Sequence, residues 1–451
     1  MFKAKKPLLF ARLHNHFNVD PAQLPVLEQS YAFFERANLH LAIDELSRSA
    51  DSPPTLIGIV VTEDYGSVTL SKLSRPATAE KYDEGPVEYV DEPLPNKQRL
   101  SCVKRGLYLY RVDGKPLALL ITEQQYSRTP GIIAEVMAPA KEAAESFAHR
   151  LTRLVRLGKA FRGHVLSLER DCHGAVGVKF HSLPAVNREQ IILPAELLDR
   201  IERHTIAFST HAKRLSAAGR HLKRGILLHG PPGTGKTYSA MYLASRMPGR
   251  TVFLLTGAGI GSIETACNMA RILEPATIIL EDVDLIGTQR DRQMVDANAL
   301  LFELLNQMDG LADDADILFI LTTNRPDVLE PALAARPGRI DQAIAVPPPD
   351  EDCRQRLFSL YSEGLTLNVS RLDHFIHKLD GVSAAFVREL LRKAAVFAAI
   401  ESNGDIVVND EHIDEALAEL LVAGGPLTQS LLGAQRANES QLSPKSQNSS
   451  N

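Results

Sequence analysis

One short segment constrains the fold of this 451-residue chain more than any other. Residues 230–237 read Gly-Pro-Pro-Gly-Thr-Gly-Lys-Thr, with the spacing G-x-x-x-x-G-K-[S/T] of a phosphate-binding loop. The glycines let the backbone turn its N–H groups towards one concave anion site. A strand-like run, 225–229, precedes the loop and a helix-like run, 238–246, follows it. The sequence therefore predicts that phosphates bind at a helix N-terminus.

Two side chains of this loop carry the predicted chemistry. Lys236 would reach the β- and γ-phosphates of a nucleotide, and the Thr237 hydroxyl would ligate Mg²⁺. A Gly- and Pro-rich turn before a helix is the alternative, and the strand-loop-helix context disfavours it. The predicted nucleotide contacts are Gly230, Pro231, Pro232, Gly233, Thr234, Gly235, Lys236, Thr237 and Tyr238.

Polar side chains follow two further buried runs. The run 277–280 ends in Glu281 and Asp282, and the run 317–321 leads through two threonines to Asn324. Carboxylates at the carboxyl end of a parallel strand lie in the crevice where ligands bind. We predict that they hold Mg²⁺ and polarise the attacking water, and that Asn324 orients this water.

Arginines follow in a loop rich in Pro and Gly. Arg336 and Arg339 flank Pro337-Gly338. A guanidinium suits a phosphoryl transition state, because it carries a fixed charge on a planar fork. On charge alone, an ordinary surface loop is the stronger interpretation.

Composition limits the classes of function. The net charge of −5 gives no general case for nucleic-acid binding. The four cysteines are scattered without a C-x-x-C pair, which indicates a reducing, cytoplasmic compartment and no zinc knuckle. The apolar runs are strand-sized, and the first residues are too polar for a secretory signal. We therefore expect no transmembrane segment.

The pattern along the chain predicts four regions. They are an N-terminal mixed α/β domain at 1–185, a core of alternating strands and helices at 186–348, a helical region at 349–425 and a disordered tail at 426–451. In the first region we predict a helix at 26–46, a long loop at 74–96 and a hairpin turn at Asp113-Gly114.

A basic series lies near the end of the first region. Its members recur at a spacing of three, so on a helix they form a spiral stripe. A solvated helix surface is the favoured interpretation, and a site for an anionic partner is the alternative. The series consists of Arg150, Arg153, Arg156, Lys159 and Arg162.

Taken together, the motifs occur in the order seen in AAA ATPases, and residues 190–422 resemble that family. The resemblance implies a P-loop parallel sheet core covered by helices and followed by a small helical lid. It implies ATP and Mg²⁺ as ligands and a homo-oligomeric ring, usually a hexamer, that acts on a protein substrate or adaptor. The matching segments are Walker A at 230–237, Walker B at 281–282, the stretch 304–310, sensor 1 at Asn324, and Arg336 and Arg339, which resemble arginine fingers for the neighbouring subunit.

The Walker B segment departs from the family pattern. The usual order is Asp-Glu, whereas this chain has Glu281-Asp282. The order is similar to that of the mitochondrial AAA translocase that inserts the Rieske protein. By register, Glu281 takes the Mg²⁺ position and Asp282 the water-activating one. Since Asp is one methylene shorter than Glu, either the water lies closer or Glu281 serves both purposes.

Two other positions also depart from it. The stretch 256–263 has no aromatic residue, so Ile260 is the only candidate for a substrate-contacting pore residue. At the start of the lid helix, the resemblance implies that Ala384 and Ala385 border the nucleotide. Arg388 would be either a sensor 2 arginine or a surface residue.

The leading hypothesis is a ring-forming AAA ATPase that couples Mg-ATP hydrolysis to remodelling of a protein partner recruited by the N-terminal region. The alternative is a slow nucleotide-dependent assembly or regulatory switch without threading. A nucleic-acid motor or clamp loader is weaker, because the charge balance is acidic. A P-loop kinase is weaker still, because it leaves the arginines and the lid unexplained.

Overall fold

The computed structural model describes residues 7–62, 67–124, 131–170, 176–256, 261–284, 297–310, 312, 314–327, 329, 339–401 and 404–423. The chain divides into two compact units, Met1–Phe180 and His181–Asn451. Each unit combines a sheet with helices, which confirms the predicted α/β class. The finer division of the chain into core, lid and tail stays a prediction, and residues 426–451 lie outside the described part.

The first unit is built on an antiparallel sheet. Its strands are β1 (Val26–Tyr31), β2 (Thr55–Val61), β3 (Tyr82–Gly85), β4 (Glu88–Pro93), β5 (Arg99–Val112), β6 (Lys115–Gln124) and β7 (Gly131–Met137). In space they follow the order β1-β7-β6-β5-β2-β3, and β4 pairs with β5. Strand β1 is thus the last strand at one edge, paired with β7.

Helices cover both faces of this sheet. Alternate residues of a strand point to opposite faces, so the apolar run of β6 serves two cores. Leu119 and Ile121 pack with α2 and α5, whereas Leu120 packs with α1 and α3. The helices are α1 (Leu8–Phe17), α2 (Arg36–Arg48), α3 (Leu70–Leu73), α4 (Pro76–Ala79) and α5 (Lys141–Leu157).

Two predictions for this unit were wrong. The predicted helix at 26–46 is a strand from Val26 to Tyr31 followed by α2, because residues 26–31 pair antiparallel with β7. The predicted loop at 74–96 contains α4, β3 and β4, and β4 pairs along the first half of β5. The hairpin turn is confirmed, with positive φ angles of 52° at Asp113 and 72° at Gly114.

The second unit contains the predicted parallel sheet. Its parallel strands follow the spatial order 342–345, 224–229, 317–323, 276–280, 251–255. The strands 276–280 and 317–323 are buried along their whole length, as expected when helices cover both faces. In chain order the strands are β10 (Arg224–His229), β11 (Thr251–Leu255), β12 (Ala276–Leu280), β13 (Ile317–Thr323) and β14 (Gln342–Ala345), after β8 (Val165–Arg170) and β9 (Val176–His181) near the division between units.

Helices lie before, between and after these strands. Those up to the last parallel strand are α6 (Ala195–Glu202), α7 (Phe208–Thr210), α8 (Ala212–Ala217), α9 (Lys236–Ser245), α10 (Ile263–Ile272) and α11 (Ala297–Asp309). The later ones, which confirm the predicted helical character of this region, are α12 (Glu351–Tyr361), α13 (Leu372–Lys378), α14 (Ala384–Glu401) and α15 (Asp410–Ala418). They share one apolar core around Phe375, Phe386 and Leu390, beside a short parallel pair, β15 (Thr366–Asn368) and β16 (Val407–Asn409).

Candidate active site

The phosphate-binding loop joins the end of β10 to the start of α9. Gly230, Gly233 and Gly235 have φ angles of +147°, +74° and +96°, a region that residues with a Cβ seldom adopt. A Cβ on Gly230 would also lie 2.3 Å from the carbonyl oxygen of Val346. These glycines are therefore required by the backbone path, and the loop opens onto the N-terminus of α9.

The ammonium group of Lys236 is buried inside this loop, and the residue is 5% exposed. Its Nζ donates to the carbonyl oxygens of Gly230 at 2.9 Å and Pro231 at 2.7 Å. Burial lowers the pKa of Lys236 to about 8, although Asp282 and Asp284 act in the opposite direction. The amine is thus held by neutral acceptors, and a phosphate group would be a stronger partner for its charge.

The carboxyl ends of β12 and β13 bring two predicted site residues into contact. The Asn324 Nδ2 donates to Asp282 Oδ1 at 3.1 Å. The backbone N–H of Asp282 donates to Thr322 Oγ1 at 3.0 Å, and its φ of +49° lies in the left-handed region. Such backbone strain in a residue other than glycine is typical of functional sites. The arrangement fixes the Asp282 carboxylate beside the Asn324 amide.

A further carboxylate, Asp284, supports this pair. Its Oδ1 accepts from Thr323 Oγ1 at 2.8 Å and from the backbone N–H of Asn324 at 3.1 Å. The sequence analysis assigned no specific role to Asp284. The signal for it was a further carboxylate two residues after Asp282, directly beyond the same buried run.

The remaining carboxylate, Glu281, suits a metal ion. Its Oε1 is buried and has no hydrogen-bond partner among the residues that the structure describes. Burial, with a smaller contribution from Asp282, raises the pKa of Glu281. A hard divalent cation prefers carboxylate, hydroxyl and water oxygens. This unpartnered oxygen and the exposed Thr237 hydroxyl are both of the chemical type that Mg²⁺ prefers, but Glu281 is not among the residues that line the cleft containing Thr237.

A cleft of about 1100 Å³ joins the loop to the helical region that follows the sheet. At its border the backbone N–H of Ala385 donates to the carbonyl oxygen of Gly233 at 3.1 Å. Ser383 Oγ accepts from the N–H of Phe386 at 3.2 Å, so it caps the start of α14. Predicted residues that line the cleft are Pro232, Gly233, Gly235, Lys236, Thr237, Tyr238, Asp282, Asn324, Ala384, Ala385 and Arg388.

The cleft also has lining residues that the sequence analysis missed. Gln190, Met241 and the pair Leu360-Tyr361 at the end of α12 come from three separate elements, with no shared spacing that could have identified them. Three of the four offer aromatic or apolar surface, which is typical of small-molecule sites.

Comparison with known proteins identifies this arrangement. A sequence model of the ATPase family associated with various cellular activities (AAA) matches residues 226–348, which include the loop, β12 and β13. Residues 226–348 form an AAA ATPase domain. The family resemblance is thereby confirmed, whereas the Walker B similarity to the Rieske-protein translocase stays a prediction.

Known relatives share this AAA domain and adjoining residues. The ATP-dependent zinc metalloprotease FtsH of Synechococcus sp. is 30% identical over 275 residues, which are 58% of this chain and 41% of that protein. The FtsH of Mycoplasmopsis pulmonis is 33% identical over 259 residues, 54% of this chain and 34% of that protein. The 26S proteasome regulatory subunit S10B homolog B of Arabidopsis thaliana is 34% identical over 201 residues, 42% of this chain and 50% of that protein. The chain thus spans half or less of the length of these relatives.

The predicted arginine fingers have different outcomes. Arg336 lies outside the described residues, as does Ile260, the predicted pore residue. Arg339 forms a two-pronged ion pair with Asp309 at the end of α11, and it does not line the cleft of its own AAA domain. Its Nη1 is buried and unpartnered among the described residues.

Arg388 lies on α14 and is exposed at the cleft, one turn beyond Ala384. Its neighbours on the helix, Glu389 and Arg392, pair with each other at 2.6–2.7 Å. The guanidinium of Arg388 therefore remains available to a ligand in the cleft. In the ranges that the structure covers, every helix is too short or too polar to cross a membrane.

Proposed function

We propose that this chain hydrolyses ATP with Mg²⁺ in a homo-oligomeric ring, and that it uses the energy to remodel a protein partner. The observation that carries the proposal is the convergence of Lys236, Asp282 and Asn324 on one cleft that α14 borders. In this proposal residues 1–185 recruit the partner, residues 186–348 hydrolyse ATP, and residues 349–425 form the lid.

The residues predicted from the sequence have the following roles in this reaction. Lys236 and the backbone N–H groups of the loop bind the phosphates. Thr237 and Glu281 hold Mg²⁺, which supplies positive charge against the charge that develops on the phosphate oxygens. Asp282 polarises the attacking water, and its hydrogen bond with Asn324 keeps the carboxylate in position. Ala384 and Ala385 border the nucleotide, and Arg388 contacts it as a sensor.

The relatives support a protein as the partner, because one is a metalloprotease and another is a regulatory subunit of the proteasome. A ring, in the proposal a hexamer, follows from the arginines, which would complete the site of a neighbouring subunit. The composition supports a cytoplasmic location and disfavours nucleic acid as a partner.

The first test is the rate of Mg-ATP hydrolysis per subunit as a function of protein concentration, for the wild type and for Arg339→Ala. We expect the specific activity to rise with concentration and the variant to bind ATP without hydrolysing it. Asp282→Asn should likewise bind ATP and lose turnover. Normal hydrolysis by Asp282→Asn would contradict the role of its carboxylate.

A slow nucleotide-dependent switch is the second candidate. It is favoured by the ion pair between Arg339 and Asp309, which keeps this guanidinium within its own chain. The short Asp282 side chain in the water-activating position also favours a low rate. Hydrolysis that is independent of concentration and unaffected by Arg339→Ala would select this candidate over the motor.

A further inference from the structure

Helix α5 of the first unit ends in a cluster of cations. No Asp or Glu occurs between Glu145 and Glu169. Cations near a helix C-terminus interact favourably with the helix dipole, and this accounts for part of the pattern. The helix dipole does not explain why two of the guanidinium groups line the same groove, between α5 and strand β1. The interval contains His149, Arg150, Arg153, Arg156, Lys159, Arg162 and His164.

Two of these arginines form no ion pair with the residues that the structure describes. Arg153 and Arg156 are exposed, and their side chains make no hydrogen bond or ion pair within the described ranges. Their neighbour Arg150, in contrast, donates to Ser49 Oγ at 2.7 Å. The Glu35 carboxylate attracts Arg156 electrostatically, but one of its oxygens accepts from a backbone N–H at 2.9 Å and it forms no described ion pair with the arginine. Neither guanidinium is therefore held in an ion pair by another described residue.

The same arginines stand beside a free sheet edge. Strand β1 pairs with β7 on one side and has no strand partner on the other among the described residues. Helix α5 is tied to β1, because Thr152 Oγ1 donates to Gln29 Oε1 at 2.7 Å. Between helix and strand lies a groove of about 580 Å³. The groove is lined by Gln29, His149, Thr152, Arg153, Arg156 and Leu157.

The groove has an apolar part and lacks a carboxylate. Leu157 is 58% exposed and supplies the apolar part of the lining. Glu28 of β1 does not oppose the cations, because alternation directs it to the opposite face of the sheet, where it influences Glu135. An edge with unpaired backbone groups, an apolar side chain and two free guanidinium groups is thus presented in one place.

We propose that the free edge of β1 binds an extended, acidic segment of a partner protein as an added strand. The backbone of the segment would pair with β1, and its carboxylates would pair with Arg153 and Arg156. Strand addition gives affinity through main-chain hydrogen bonds, and charge complementarity selects the sequence. The six residues of β1 span about 20 Å, so about six residues of the partner suffice. This inference rests on the proposed role of the first unit in recruitment.

A polypeptide fits these features better than a nucleic acid does. Main-chain N–H and C=O groups that match a strand edge are found in peptides, and nucleic acids lack them. The net charge of −5 also opposes long-range attraction of a polyanion to the whole chain. The two arginines are a local exception to this charge.

The test measures binding of a fluorescein-labelled (Thr-Glu)₆ peptide to the full-length chain by fluorescence anisotropy. We expect saturable binding that weakens at least tenfold in Arg153→Glu/Arg156→Glu, and less in Arg153→Gln/Arg156→Gln. The matched control is Lys141→Glu/Lys115→Glu, which makes the same charge change at exposed positions of the same unit and should bind within twofold of the wild type. The peptide (Pro-Glu)₆ has the same charge but lacks backbone N–H groups, so it should bind at least tenfold more weakly.

Several results would overturn the inference. If (Pro-Glu)₆ binds as tightly as (Thr-Glu)₆, strand addition is excluded. If the lysine control weakens binding as much as the arginine variant does, net charge alone explains the effect. Tighter binding of poly-uridylate RNA, lost in the double arginine variant, would assign the surface to nucleic acid. Hydrolysis of ATP is measured on the same samples and is expected to be normal in Arg153→Glu/Arg156→Glu. If peptide binding is lost while hydrolysis is intact, the binding result does not depend on the proposed ATPase function, and the two proposals can fail separately.

Discussion

The polar groups at the two ends of the parallel strands in the AAA domain differ in how fully they are hydrogen-bonded. The side of the sheet where the strands begin is called the amino edge, and the side where they end is called the carboxyl edge. At the amino edge, Arg250 is 5% exposed and its donors are all used. Its Nε donates to Thr277 Oγ1 at 3.0 Å, and its Nη1 to Asp316 Oδ1 at 2.6 Å. At the carboxyl edge, Glu281 Oε1 is buried without a described partner, and Asp282 has a left-handed backbone.

This difference separates structural from functional polar groups. A buried polar group that is fully hydrogen-bonded joins the strands at little net cost, whereas an unpaired one costs about 1–3 kcal/mol. The amino edge is complete by itself and should contribute to stability. The carboxyl edge is incomplete in the protein alone, and a metal ion and phosphates would complete it. Mutations at the two edges should therefore affect different measurements.

The largest effect is expected for Lys236→Ala. Loss of the buried ammonium should lower kcat/KM for ATP by at least about 10³-fold, or about 4 kcal/mol, because the phosphates lose a direct charge. The free energy of unfolding should change by less than about 1 kcal/mol, because the amine has only neutral partners. Lys213→Ala, at an exposed position of α8, is the control. If Lys236→Ala still binds and hydrolyses ATP, the carboxyl edge does not have the proposed function.

The converse effect is expected for Arg250→Met. Removal of the guanidinium leaves Asp316 and the carbonyl oxygen of Ala276 without their hydrogen-bond donor. Denaturant unfolding should therefore show that the free energy of unfolding falls by about 3 kcal/mol. The kcat/KM of the folded fraction should stay within about twofold of the wild type, since no donor of Arg250 reaches the cleft. Arg246→Met, at an exposed position nearby, should be close to neutral in both measurements. A large loss of catalysis at full stability would break the distinction between the edges.

The pH dependence of catalysis should report the burial of Lys236. Its pKa of about 8 means that the free enzyme loses the positive charge as the pH rises through this value. We expect kcat/KM to fall by about fivefold between pH 8 and pH 9, because phosphate binding requires the charged form. Lys236→Arg should be less active but flat over this range, since a guanidinium keeps its proton. A flat profile for the wild type would show that the amine is less desolvated than its burial indicates.

The smallest effect is expected for the stability of Glu281→Gln, and it is an increase in the free energy of unfolding. Since burial raises the pKa of Glu281, the native state favours the protonated carboxyl, and stability is lost as the pH rises through the native pKa. The neutral amide removes this penalty, so the variant should be more stable than the wild type at pH 7 and equal to it at low pH. Dependence of hydrolysis on Mg²⁺ should shift to concentrations at least about tenfold higher.

The control for this variant is Glu264→Gln, at an exposed position on α10, which should leave the free energy of unfolding at pH 7 unchanged. A less stable Glu281→Gln protein would mean that the carboxylate has a structural partner. Glu281 would then belong with Arg250 as a residue that supports the fold, and the proposed metal site would lose one of its two protein ligands.

Prediction from sequence succeeded where structure is local. The loop 230–237, the helices after 349 and the turn at Asp113-Gly114 depend on neighbours within a few residues. It failed for 26–31 and 88–93, whose strand character comes from pairing with other parts of the chain. The partners of 26–31 lie more than 100 residues away, at 132–137, and no local pattern encodes them.

The chemistry proposed for the AAA domain could be predicted from the sequence, because a phosphate loop needs glycines and a lysine at set spacings and a metal needs carboxylates. Which of these groups are satisfied depends on the tertiary structure. It tied Asp284 to Asn324, left one oxygen of Glu281 without a described partner and paired Arg339 with Asp309. Hydrogen bonding and burial depend on atoms that are distant in sequence, and so does the difference between a group that holds the fold together and one that is available to a ligand.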